Sequence, residues 1–123
     1  MATVPNTKKE VVTVTIAPGP SAATAVIPNS ARYMGFVFQV VGFNPGKDFT
    51  IQGSFDGTNY YDLDSDSFVL GTTHFTSSAT PQIFQLELFA PFPGGIRIKS
   101  VDANLTADGT VDVMMAKCPY RPR

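Results

Sequence analysis

The chain divides into short apolar runs separated by Pro and Gly, ten of each. In EVVTVTIA (10–17), Val12, Val14 and Ile16 alternate with Val11, Thr13 and Thr15. Period-two alternation of β-branched residues predicts a strand. AATAVI (22–27) is a weaker strand, and RYMGFVFQVVGF (32–43) a long, mostly apolar one. DFTIQGSF (48–55) sets Phe49 and Ile51 against Thr50, Gln52 and Ser54, and NYYDLD (59–64) follows. SFVLGTTHFTSS (67–78) reads as one strand with Gly71 as a bulge. In QIFQLELFA (82–90), Phe84, Leu86 and Leu88 form the better core face, opposite Ile83, Gln85, Glu87 and Phe89. GIRIKSVD (95–102) groups Ile96, Ile98 and Ser100 against Arg97 and Lys99, and GTVDVMMAK (109–117) groups Val111, Val113 and Met115.

Eight or nine short strands, about 8–12 residues apart and with no convincing helix, predict an all-β fold. The expected form is an antiparallel β-sandwich or jelly roll of about eight strands, with a small barrel as the alternative. No internal repeat indicates a propeller or solenoid. The expected organisation is a polar N-terminal arm (1–9), one β-sandwich domain (10–117) and a C-terminal tail (118–123). A chain of 123 residues suits one domain.

Composition narrows the function classes. Charged residues make up 15%, below the usual quarter, which hints that partners rather than water cover some of the surface. A net charge of -1 supplies no basic field for nucleic acid or anionic lipid. Cys118 is the single cysteine, so no intrachain disulfide forms. The opening MATVPNTKKE lacks the apolar core of a signal peptide, and no run approaches the roughly 18 apolar residues of a membrane span. These features predict a protein made in a cytosol.

Catalytic chemistry finds little material. His74 is the single histidine, and a His–Cys pair would have to join it to the distant Cys118. Those two cannot complete a tetrahedral zinc site, which takes three or four such ligands. The two glutamates, Glu10 and Glu87, do not read as a glycosidase pair. No phosphate-binding loop occurs. Asp62, Asp64 and Asp66 invite a calcium test, but an EF-hand counted from Asp62 needs Gly where Ser67 stands and Glu where Thr73 stands. A different calcium site remains the alternative; otherwise these aspartates line the wet face of a strand. No enzyme activity, cofactor or metal is expected.

The stretch IQGSFDGTNYYDLD (51–64) carries the clearest local geometry. A two-residue turn at Asp56-Gly57 would mix apolar and polar faces, which pleating penalises. A three-residue loop, Phe55-Asp56-Gly57, would pair Ser54 with Thr58, Ile51 with Tyr61 and Phe49 with Leu63. Gly57 would then take the left-handed position of a bulged hairpin. Asp56 and Gly57 are thus the turn-forming residues. Phe55 falls at the tip, either exposed as a contact residue or covered by a neighbouring loop.

Ser54-Phe55-Asp56-Gly57-Thr58-Asn59-Tyr60 resembles the S-x-D-G-x-x-W/Y hairpin of discoidin-like jelly rolls. It is also similar to hairpins in small structural proteins of tailed bacteriophage virions. The later Gly95-Ile96-Arg97-Ile98-Lys99 and Gly109-Thr110-Val111-Asp112-Val113 look like the closing strands of such domains. The resemblance spans about residues 48–117, with Tyr60 where Trp is frequent. It implies a virion protein, made in the host bacterial cytoplasm and either a capsid decoration (cement) protein or a head-tail accessory protein. The implied partners are the major capsid protein or another virion protein, with assembly as a homo-oligomer, a trimer, and with no nucleic acid or membrane partner. Lys8, Lys9, Lys117, Arg121 and Arg123 concentrate basic charge at the chain ends. Lys8, Lys9, Arg121 and Arg123 join Phe55 and Tyr60 as candidate contact residues; the ends either dock on the assembly or are ordinary solvated tails. The alternative function is a carbohydrate-binding β-sandwich module for surface or host attachment, using Phe55, Tyr60, Tyr61 and Asp62 against a glycan.

Overall fold

A computed structural model of the chain describes residues 9–17, 23–41, 47–78, 80–101 and 109–116. The described residues form ten strands: β1 (Lys9–Ile16), β2 (Thr24–Val26), β3 (Gly35–Val41), β4 (Asp48–Ser54), β5 (Tyr60–Asp62), β6 (Phe68–Gly71), β7 (His74–Thr76), β8 (Gln82–Leu88), β9 (Ile96–Ser100) and β10 (Gly109–Ala116). Two short 3₁₀ turns, Ser30–Arg32 and Ser65–Ser67, are the only helical pieces among them.

Every pairing is antiparallel, and the strands form two sheets. One runs β1-β10-β3-β8-β6, and the other runs β2-β9-β4, with β5 and β7 sharing the far side of β4. β5 pairs with Gln52–Ser54 and β7 with Asp48–Thr50. The chain therefore crosses between sheets at nearly every connection, which is jelly-roll topology. The expected all-β sandwich is correct, with ten strands rather than about eight. The main difference lies in 67–78. This run is not one strand: β6 belongs to the first sheet and β7 to the second, with the corner at Gly71 (φ 105) and Thr72–Thr73. The irregularity in pairing falls between Phe68 and Leu70, just before Gly71.

Pleating sends alternate side chains inward from both sheets. Val14, Ile16, Phe36, Phe38, Val40, Leu86, Leu88, Val111, Val113 and Met115 come from the first sheet; Phe49, Ile51, Ile96 and Ile98 come from the second. A file of aromatic rings ties the layers together. Phe36 and Phe38 stack at 6.1 Å, Phe38 on Phe84 at 4.8 Å, Phe84 meets Phe75 at 4.5 Å, and Phe75 stacks on Phe49 at 5.0 Å. The Phe84–Phe75 contact is where the file passes from one sheet to the other.

The first and last strands are neighbours, with Lys9 opposite Ala116. Met34 N–H donates to the Ala116 carbonyl, Leu88 N–H to that of Met34, and Ser54 N–H to that of Gly95. These contacts gather the 27–34, 55–59 and 89–95 connections at one end of the sandwich. Both described chain ends, Lys9 and Ala116, reach that same end.

Phe38 is fully buried within the ring file. Phe38→Ala is expected to lower unfolding free energy by about 3–5 kcal/mol, read from the denaturant midpoint at unchanged m-value.

Candidate functional site

Two surfaces flank β4, and the sequence did not separate them. On the outer face of the second sheet, the polar row of β4 is itself buried: Thr50, Gln52 and Ser54 are 3%, 5% and 2% exposed. A cross-strand lattice explains how this is tolerated. Gln52 Nε2 donates to Asp62 Oδ1 at 2.9 Å, and Gln52 Oε1 accepts from Arg97 Nε at 2.8 Å. The Arg97 guanidinium lies 4.4 Å from the centroid of the Tyr60 ring, a cation–π contact. Tyr60, a candidate contact residue, is thus half-buried with one ring face already occupied. Farther along, His74 Nε2 is 3.3 Å from Thr50 Oγ1 and His74 Nδ1 is 2.9 Å from Thr73 Oγ1. Both ring nitrogens are therefore engaged by threonine hydroxyls. Cys118, its only conceivable nucleophilic partner, lies outside the described residues.

The second surface is the hairpin end. The expected three-residue loop is in fact five residues, 55–59: Ser54 pairs with Tyr60, Gly53 with Tyr61 and Gln52 with Asp62. The shift is two residues, so the parity of the faces survives while the partners change. The loop lengthens because Asp56 organises it by hydrogen bonds of its own. Asp56 Oδ1 accepts from Thr58 N and Asn59 N, each at 2.8 Å, and from Ser54 Oγ at 3.2 Å; Oδ2 accepts from Asn59 Nδ2 at 2.9 Å. The amides of Asn59 and Thr58 hold its carboxyl well below the usual carboxylate range. Gly57, at φ 78, occupies the left-handed region, and its N–H donates to Ser54 Oγ at 2.8 Å. The loop rests on Gly94, where any Cβ would collide with the Gly57 nitrogen and Ser54 Oγ.

This frame projects Phe55 into solvent at 80% exposure. Tyr61, expected to share the buried face with Ile51, is 70% exposed. Its partner across the ladder is Gly53, and Phe92 and Leu63 fill the space a Gly53 side chain would take, so the core ends before Tyr61. Phe55, Tyr61, Leu63 and Phe92 line a cavity of about 410 Å³, together with Ser54, Asn59, Asp62 and Ser67. The sequence signal for Phe92 is faint: a lone aromatic between prolines in APFPGG carries no periodicity.

The aspartates disperse. Strand β5 stops at Asp62, which serves Gln52, whereas Asp64 accepts from Asp66 N and caps the 65–67 turn. They do not share one face of a strand, because the strand is too short. Among the described residues no group of three or more His, Cys, Asp or Glu side chains is placed to hold a metal, and no helix is long and apolar enough to cross a membrane. Lys8, Arg121 and Arg123 lie outside the described residues, as does the side chain of Lys9.

A third surface is the outer face of the first sheet. Val11 pairs with Met114 and Met114 with Val37, forming an apolar row across three strands. Val11 is 66% exposed and Met114 37%, and Leu70 and Ile83 extend the apolar surface toward β6 and β8.

Comparison with known proteins is consistent with the topology. No family model matches the chain, and no curated protein matches it in sequence. Solved structures do match in fold. The SPBc2 prophage-derived protein YomS superimposes with a TM-score of 0.58 at 9% identity, over 94% of this chain and 99% of its own. A family 29 carbohydrate-binding module gives 0.52 at 11% identity, over 92% of this chain and 80% of its own. A mutant of such a module complexed with cellulohexaose gives 0.51 at 12%, over 92% and 82%. At these identities the likeness is one of fold.

Asp56→Ala is expected to release the loop, with faster hydrogen exchange at the Thr58 and Asn59 amides. Because folding lowers the Asp56 pKa below its ordinary 3.8, its contribution is present above that value and is lost as pH falls through the lower folded pKa. Amide protection in the wild-type loop should therefore persist to pH 3.8 and below, a plateau absent from the variant.

Proposed function

We propose that this chain is a non-enzymatic virion structural protein, a capsid decoration protein that binds the assembled phage head and stabilises it. The observation that carries the reading is the apolar Val11–Met114–Val37 row, exposed at Val11 and Met114 and half-buried at Val37, on a sheet that also contains both terminal strands. Contiguous exposed apolar surface marks an interaction site. The face and the two chain ends therefore present to a partner together.

Charge supports the same orientation. Residues 10–116 carry four Lys and Arg against ten Asp and Glu, while 1–9 and 117–123 carry five Lys and Arg and no acid. The register of Lys9 with Ala116 starts both basic segments from one corner. Such polarity favours an acidic docking surface, for which the major capsid protein is the partner we favour, and a trimer is the assembly we favour for the bound protein. A prophage-derived protein that shares the fold supports the phage reading.

A second reading, carbohydrate recognition, is favoured by Phe55 and Tyr61 standing exposed beside one cavity. The fold likeness to carbohydrate-binding modules, one of them complexed with cellulohexaose, points the same way.

Purified protein added to particles lacking it tests the first reading. Wild type should bind saturably. The double variant Val11→Lys, Met114→Lys should lose about tenfold or more in affinity. Its thermal midpoint should stay close to wild type, because both sites are on the surface. Deletion of residues 1–9 should also weaken binding, more at low salt than at high salt. Unchanged occupancy for both variants would remove the proposed docking face and arms.

A further inference from the structure

We infer that the cavity at the hairpin end is a binding pocket for a neutral sugar ring; the inference rests on the carbohydrate reading and gives that reading its site and ligand class.

The pocket's size, about 410 Å³, falls in the range of small-ligand sites, about 300–1,000 Å³. Its walls are of two kinds. Phe55, Tyr61 and Phe92 offer aromatic surface, and Asn59 and Ser67 offer polar side chains. A pyranose has the complementary pair of properties, an apolar C–H face for stacking and a ring of hydroxyls for hydrogen bonds.

The charges select among sugars. No Lys, Arg or His lines the cavity, and two carboxylates, Asp56 and Asp62, do. Phosphorylated or acidic ligands would meet repulsion without a counter-charge. Asp56 is committed to the loop by its four hydrogen bonds. Asp62 Oδ1 accepts from Gln52 Nε2, and Asn59 Nδ2 donates to Asp56 Oδ2. Asn59 Oδ1 is then the acceptor for a sugar hydroxyl, because Asp62 turns its carboxylate to Gln52 on the outer face. The Asp56 network also fixes the loop that carries Phe55, which lowers the ordering cost of binding.

Tyr60 is not part of this pocket. Its ring lies against Arg97 on the outer face of the second sheet, whereas Tyr61 points the opposite way along the same strand. The site therefore uses Tyr61 and not Tyr60, whereas the sequence offers both.

Amide spectra of the ¹⁵N-labelled full chain, titrated with millimolar cellohexaose, maltohexaose and mannohexaose, and with sialyllactose as the anionic comparison, test the inference. At least one neutral probe should shift the amides of Asn59, Asp62 and Phe92, and sialyllactose should not. Phe55→Ala and Tyr61→Ala should each weaken that binding about tenfold, while Thr24→Ala on a distant edge should not. Both pocket residues are exposed, so their variants should keep the wild-type spectrum elsewhere. Shifts that cluster around Arg97 and Tyr60, with affinity retained in both variants, would overturn the pocket and leave the carbohydrate reading standing. No response to any neutral probe would overturn both. Loss of particle binding by Phe55→Ala without a sugar response would reassign the pocket to protein docking.

Discussion

The file of stacked phenylalanines from Phe36 through Phe38, Phe84 and Phe75 to Phe49 is the contact on which the two layers depend. Each ring is placed by pleat parity on its own strand, yet the rings meet only if β7 has left the first sheet and joined β4. The corner at Gly71–Thr73 makes that crossing. Once Phe75 is held between Phe84 and Phe49, β4 is fixed against β9 on one side and against β7 and β5 on the other. The hairpin that leaves β4 then has a rigid base.

Fixing β4 also decides what its two faces can do. With Phe49 and Ile51 inward, Thr50, Gln52 and Ser54 must point outward, and the side chains of β5, β7 and β9 close over them. Burying polar groups is tolerated only when they are bonded, and none of the buried side-chain polar atoms among the described residues lacks a partner. That face is therefore internally satisfied. Apolar and aromatic surface is left chiefly on the outer face of the first sheet and at the hairpin end. Such surfaces are suited to binding.

Alternation along the chain was enough to read β1, β8, β9 and β10, where inward positions recur at period two and nothing interrupts them. Phe84, Leu86 and Leu88, and Ile96, Ile98 and Ser100, fall on the inner faces that the pattern predicts. Three things escaped it. The run 67–78 keeps its apolar rhythm while changing sheets, because hydrophobic pattern reports burial and not which sheet supplies it. The 55–59 loop is set by the side-chain hydrogen bonds of Asp56, which parity cannot count, so the faces were legible and the partners were not. Phe92 reaches the cavity from an irregular connection, and only the empty side of Gly53 reveals why it fits there.

The proposed decoration role is tested most directly by the copy number of this chain in washed, intact phage particles from the strain that carries its gene, by quantitative mass spectrometry against the major capsid protein. A decoration protein occupying symmetry-related sites on the head should be present at on the order of hundreds of copies per particle. Absence from washed particles, or only a handful of copies, would contradict a capsid decoration role.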